Sequence, residues 1–152
     1  EKTKRINAYG KVIGKGEQNV NKGRKLFLSN CGSCHRLNGE GGLSGPELTG
    51  YDRSNPDYLL LHIVDPNADI REGYEVQRIV TTDGRILEGR LKSQRGGTIT
   101  IEPPLGGKST VLSQDRIAAM EVQQNTYMPE RILEPLSEEE VINLFAYLME
   151  IK

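Results

Sequence analysis

Residues 26–42 read LFLSNCGSCHRLNGEGG. Both cysteines of the 152-residue chain, Cys31 and Cys34, lie in this stretch, and His35 follows the second directly. A thioredoxin-type C-x-x-C pair would open a helix after a strand, inside a β–α–β unit. Here the preceding residues, NVNKGRKLFLSN, read as a helix, and no such unit follows. A structural zinc site needs four ligands, and His62 is the one further histidine in the chain. A plain disulfide leaves His35 without a purpose.

A further reading uses all three side chains. C-x-x-C-H is the attachment string of a c-type haem, in which the two thiols add to the haem vinyl groups. His35 then lies beneath the iron as the proximal ligand. The downstream run, RLNGEGGLSGPELTG, is rich in glycine, as a loop passing close to a flat macrocycle must be. Pro46 lies in that loop, and a carbonyl there is placed to accept a hydrogen bond from His35 Nδ1, fixing the tautomer of the ring.

The rest of the chain divides by pattern. Residues 1–18 are polar and rich in Lys and Gly, and read as an arm or linker. Residues 20–30 form a short helix in which Gly23 marks close approach of a partner helix. A second helix spans 55–65, with Pro56 in its first turn and Asp65-Pro66 ending it. The last helix opens at Ser137, whose Ser-Glu-Glu-Glu sequence is a capping box, and carries Val141, Leu144, Phe145 and Leu148 as its apolar stripe. Between Tyr74 and Val122 the period changes to two. Asp83-Gly84 signals a hairpin, and two Gly-Gly pairs punctuate the remainder, so the spacing predicts five short strands.

Three methionines compete as a second iron ligand. Met120 falls in the last expected strand and reads as core filler. Met149 ends the C-terminal helix, too far along it to leave the helix packing. Met128 precedes Pro129 in a loop ahead of that helix, where proline stiffens the chain and presets the sulfur. His62 reads either as an axial ligand or as a packed histidine, and the thioether of Met128 is preferred.

Taken together, Gly23, Phe27, the C-G-S-C-H string, Gly45-Pro46-x-Leu48-x-Gly50, Met128-Pro129 and Tyr147-Leu148 make the chain resemble the class I cytochromes c. The resemblance runs from about residue 19 to the end. More narrowly, the chain is similar to the Planctomycete/Verrucomicrobium-type haem-binding domain, which keeps that frame and inserts a β-rich segment before the Met-Pro loop. The resemblance implies a mostly α cytochrome c fold, with N- and C-terminal helices packed around one covalent haem c. An inserted small antiparallel β-sheet, or SH3-like open barrel, interrupts it. The expected division is an arm over 1–18 and a cytochrome c domain over 19–152, interrupted by the insert over 74–122. The resemblance also puts the axial methionine at Met128.

Composition agrees with a cofactor in the core. Hydrophobic residues make up 36% and aromatics 5%, with no Trp and two Phe, so haem would supply the bulk that side chains do not. A net charge of −1 gives no global field for nucleic acid or an anionic membrane. No apolar run approaches the ~20 residues of a membrane span. Tyr51, Arg53, Arg71 and Tyr74 lie where donors to the haem propionates are needed. Lys22, Arg24, Lys25 and Arg36 form a basic patch beside the attachment string. The expected function is a one-electron carrier, not an enzyme, serving a redox partner protein such as a dehydrogenase module or a terminal oxidase. A c-type haem implies assembly in the periplasm or another extracytoplasmic space, and the start at Glu1 fits either a processed chain or an excised domain. The alternative is a haem protein with an open or displaceable iron site, acting as gas sensor or peroxidase-like enzyme, with His62 or Tyr127 over the iron. A haem-free zinc or disulfide module is the third reading.

Overall fold

The computed structural model describes residues 1–104 and 106–151. Its central contact is the crossing of α2 (Val20–Asn30) and α4 (Glu138–Leu148). Both helices are set by their caps. Asn19 accepts from the Lys22 amide at the start of α2, and Ser137 forms the expected capping box with Glu140 at the start of α4. The cap of α2 is also tied to α4, because Asn143 Oδ1 accepts from the Asn19 amide at 2.8 Å.

Gly23 is the point of closest approach. A Cβ built there would stand 1.9 Å from the Asn143 carbonyl oxygen and 2.9 Å from Tyr147 Cβ. One turn on, Phe27 and Tyr147 pack ring to ring, with centroids 5.6 Å apart and planes tilted by 50°. Phe27, Leu60, Val64, Val141, Leu144, Phe145 and Leu148 close the core around this crossing. α3 (Pro56–Val64) supplies Leu60 and Val64; its N-cap Asn55 accepts from the amides of Asp57 and Tyr58.

The N-terminal stretch departs from the expected arm. Lys2–Gly10 forms helix α1, and Ile6, Tyr9 and Ile13 pack against the same core. The reason is visible in spacing: three apolar residues at helical intervals on an otherwise polar segment give one narrow stripe. α1 lies on α3, where Leu60 approaches Gly10.

After Cys34 the chain makes a two-residue hairpin, β1 (Arg36–Leu37) against β2 (Glu40–Gly41). The insert contains five antiparallel strands: β3 (Val76–Thr81), β4 (Ile86–Arg95), β5 (Thr98–Glu102), β6 (Thr110–Ser113) and β7 (Ile117–Val122). They lie in the order β6-β5-β4-β3-β7. The β3–β4 hairpin turns at Asp83-Gly84 as expected, with Gly84 at φ 86°. A single 3₁₀ turn, Gln114–Arg116, leads into β7. The sheet has its own small core of Ile79, Ile99, Ile101 and Leu112.

Met120 is not core filler. It lies opposite Ile79 on the apolar face, but β7 is an edge strand, and Met120 is 40% exposed beside an exposed Val122. Among the described residues, no strand pairs with β7 on that side.

The helix crossing yields a direct expectation. Gly23→Ala forces the methyl into the Asn143 backbone, which cannot rotate away, so unfolding free energy falls by about 3 kcal/mol. Chemical denaturation of the two proteins measures it.

Candidate functional site

α2 ends in tight turns that bring three functional side chains to one wall. The Cys31 amide donates to the Phe27 carbonyl at 2.7 Å, and the His35 amide to the Cys31 carbonyl at 2.9 Å. Cys31, Cys34 and His35 thereby line one cleft of about 540 Å³. No disulfide joins the two cysteines. Burial, followed by the neighbouring Cys34, pushes the Cys31 thiol up to about 12.

The His35 ring is held by its back edge. Nδ1 lies 2.8 Å from the Pro46 carbonyl oxygen, which can only accept, so Nδ1 carries the proton. A neutral ring then keeps the lone pair of Nε2 for a metal. Burial lowers the His35 pKa below its ordinary value, and the Pro46 bond opposes this more weakly, so the neutral form is favoured. Gly45 makes the approach possible: a Cβ there would stand 2.8 Å from His35 Cε1.

Met128 lines the same cleft as His35. Its loop is anchored upstream, where the Thr126 amide donates to Asn67 Oδ1 at 2.8 Å. Met120 and Met149 do not line the cleft among the described residues. His62 does, but its Nδ1 is 2.8 Å from the Tyr58 carbonyl one turn back, and its Nε2 is 3.5 Å from Asp69. Tyr127 also lines the cleft. Burial raises its pKa, and its hydroxyl is buried without a partner among the described residues.

The four expected polar donors all reach the cleft wall, in different states. Tyr51 and Arg71 are paired, with the Arg71 guanidinium donating to the Tyr51 hydroxyl and lying 5.2 Å from its ring centre. Tyr74 lies under the guanidinium of Arg90, 4.7 Å away. Arg53 is 3% exposed, and its Nη1 donates to the carbonyls of Leu148 at 2.7 Å and Glu150 at 2.9 Å. It closes the C-terminal end of α4, whose last carbonyls lack helical partners.

The inserted sheet adds two cleft residues that sequence reasoning missed. Arg90 on β4 and Glu102 on β5 are register partners and pair at 2.6 Å, largely buried. Period-two alternation marks both as sharing a face, but nothing local reveals which face meets the cleft. The β1–β2 hairpin was also missed, although Asn38-Gly39 is a hairpin signal; Asn38 sits at φ 50° and Gly39 at φ 83°.

Two members of the basic patch, Lys22 and Arg24, are paired with acids. Lys22 pairs with Glu139 at 3.3 Å, and Arg24 forms a two-pronged bond with Glu40. Arg36 Nε donates to the Gly41 carbonyl at 3.1 Å. The acids that meet Arg24 and Lys22 come from β2 and α4.

The site fits a bulky, mostly apolar group with polar ends. Leu48, Leu59, Ile63 and Ile132 supply apolar wall. Ser44, Arg53 and Tyr127, which also line it, each carry a buried polar atom lacking a partner among the described residues: Ser44 Oγ, Arg53 Nε and Tyr127 Oη. Two thiols and an imidazole with a free Nε2 complete the donor set of a covalently held haem.

A family model described as Cytochrome c matches residues 20–84. The match covers the helix α2, the attachment string, Pro46 and α3, and ends in the β3–β4 hairpin. It supports the class I cytochrome c resemblance over that span, and the cofactor of such a domain is covalently attached haem c with its iron. Haem-based electron transfer by way of a redox partner protein is the activity that goes with it. The comparison with curated proteins finds no match. Among the described residues, no helix is long and apolar enough to cross a membrane.

Arg53 gives the site's own expectation. Arg53→Met removes two charge-assisted bonds from buried carbonyls and lowers stability by about 3 kcal/mol. Arg53→Lys recovers part of the loss, because both bonds come from the one nitrogen Nη1 and an ammonium also has donors for two carbonyls. Thermal unfolding of both variants, monitored at the Soret band, tests this.

Proposed function

We propose that this chain is a monohaem one-electron carrier, with thioether bonds at Cys31 and Cys34 and the iron held axially by His35 and Met128. The observation that carries the reading is that His35, fixed by the Pro46 carbonyl, and the loop-borne Met128 line one apolar cleft. Haem supplies the one-electron ferric/ferrous couple when bound. The protein does the rest by holding both ligands in place in either oxidation state. His35 is kept neutral and oriented by its Nδ1 bond. The thioether of Met128 is a neutral ligand that favours ferrous iron and raises the potential. Apolar walls act in the same direction by disfavouring the extra charge of the ferric state.

Tyr51, Arg53, Arg71 and Tyr74 are the proposed donors to the haem propionates, all four lining the cleft. We read residues 19–152 as one cytochrome domain interrupted by the sheet, a division supported by the two separate cores. Strand order and the 3₁₀ turn before β7 support the SH3-like reading of that sheet. The resemblance to the Planctomycete/Verrucomicrobium-type domain rests on the place of this insert, between the attachment string and the Met-Pro loop. An extracytoplasmic location follows from c-type attachment, and the partner is another redox protein.

The visible spectrum of the dithionite-reduced protein, with and without carbon monoxide, tests the axial pair. Sharp α and β bands that carbon monoxide leaves unchanged are expected. Met128→Ala then binds carbon monoxide and shows a lower midpoint potential. A wild-type Soret band that moves with carbon monoxide would remove Met128 as ligand and turn the reading toward a sensor or peroxidase-like enzyme.

A further inference from the structure

α1 contributes no residue to the cleft. Its polar face is nonetheless spent on the segment that carries Met128. Lys2 Nζ donates to Glu130 Oε1 at 2.9 Å and to Asp65 Oδ1 at 2.6 Å. Arg5 Nη2 donates to the Glu130 main-chain carbonyl at 2.6 Å, and Arg5 Nε lies 3.5 Å from Glu134 Oε1. Arg131, from the same segment, reaches back to Glu1 at 3.2 Å.

These contacts have a common geometry. Asp65 is the C-cap of α3, and Glu130 follows the Met128-Pro129 pair. Lys2 therefore bridges the loop to the end of α3. Arg5 grips backbone rather than a mobile side chain, so it restrains the path of the chain itself. Upstream of Met128, the Thr126 amide is already bound to Asn67 in the turn after α3. Met128 thus sits between two anchors, one from the α3 turn and one from α1, with Pro129 stiffening the link. α1 has an apolar attachment of its own to the core through Ile6 and Tyr9, continued by Ile13 in the turn that follows it.

We propose that α1 is a clamp on the axial-ligand loop, in which Lys2 and Arg5 are positioning residues that set how often Met128 leaves the iron. The inference rests on the reading of Met128 as the iron ligand. Ion pairs of this partly exposed kind contribute little one at a time. Here three of them and a charged bond to backbone converge on residues 130–134, where small terms act on one motion.

The test is Lys2→Met/Arg5→Met in the haem-loaded protein, with two readouts. The first is hydrogen exchange at the amides of Thr126, Glu134 and Leu136, each hydrogen-bonded in the native loop. Exchange about tenfold faster is expected, the equivalent of about 1.4 kcal/mol. The second is the rate of imidazole binding to the ferric protein at saturating imidazole, where departure of Met128 is limiting; it rises by a similar factor. Arg5→Lys, which keeps charge and a donor, recovers part of the effect in the Lys2 wild-type background. Added salt speeds opening more in the wild type than in the double variant, which keeps only the exposed Arg131–Glu1 pair, because screening removes the same pairs.

Unchanged loop exchange in the double variant, with the α1 amides still protected, overturns the clamp. Faster exchange together with imidazole binding that never saturates, even in the wild type, keeps the clamp on the loop but removes Met128 as the ligand. Should the double variant lose α1 altogether, Glu134→Gln and the wild-type salt series decide the question by the same two rates.

Discussion

The crossing of α2 and α4 at Gly23 is the contact on which the rest depends. It brings backbone to backbone, with Asn143 in the place of any side chain at position 23. That approach lets Phe27 and Tyr147 meet one turn later and orients the C-terminal end of α2. Cys31, Cys34 and His35 hang from that end. A wider crossing would move the attachment string relative to the Pro46 loop, and the 2.8 Å bond that orients the His35 ring would be lost.

Around the cleft, polarity is placed by consequence. The Pro46 carbonyl settles which ring nitrogen of His35 is free. Arg53, though nearly fully buried, is stabilised because its guanidinium answers the open carbonyls at the end of α4. Arg90 and Glu102 meet the same requirement as a pair, with Tyr74 stacked on the guanidinium. The sheet that delivers them has a separate apolar core built on its own isoleucines. Its far edge, β7, stays uncovered.

The helices and turns were legible because their signals are local. Ser137 with Glu140, Asn55 with Pro56, and Asp83-Gly84 each satisfy backbone groups within a few residues, so sequence neighbours suffice to identify them. Residues 1–18 read as an arm or linker for the opposite reason: their Lys and Arg residues look solvated until Asp65 and Glu130 arrive from distant parts of the chain. The pairing of Lys22 and Arg24 was hidden on the same ground, since Glu139 and Glu40 are remote or folded back. Met120 was assigned to a core because alternation reports the face of a strand and not whether a neighbour covers it.

By itself the sequence marked the candidate attachment string, since two thiols and an imidazole at C-x-x-C-H spacing lie within a single turn. It also determined where helices begin and where the period changes from helix to strand. Tertiary structure alone decided how Arg53 is used and which face of the inserted sheet meets the site. Those outcomes depend on contacts between residues tens of positions apart. Their energies arise from packing and desolvation, which no local pattern encodes.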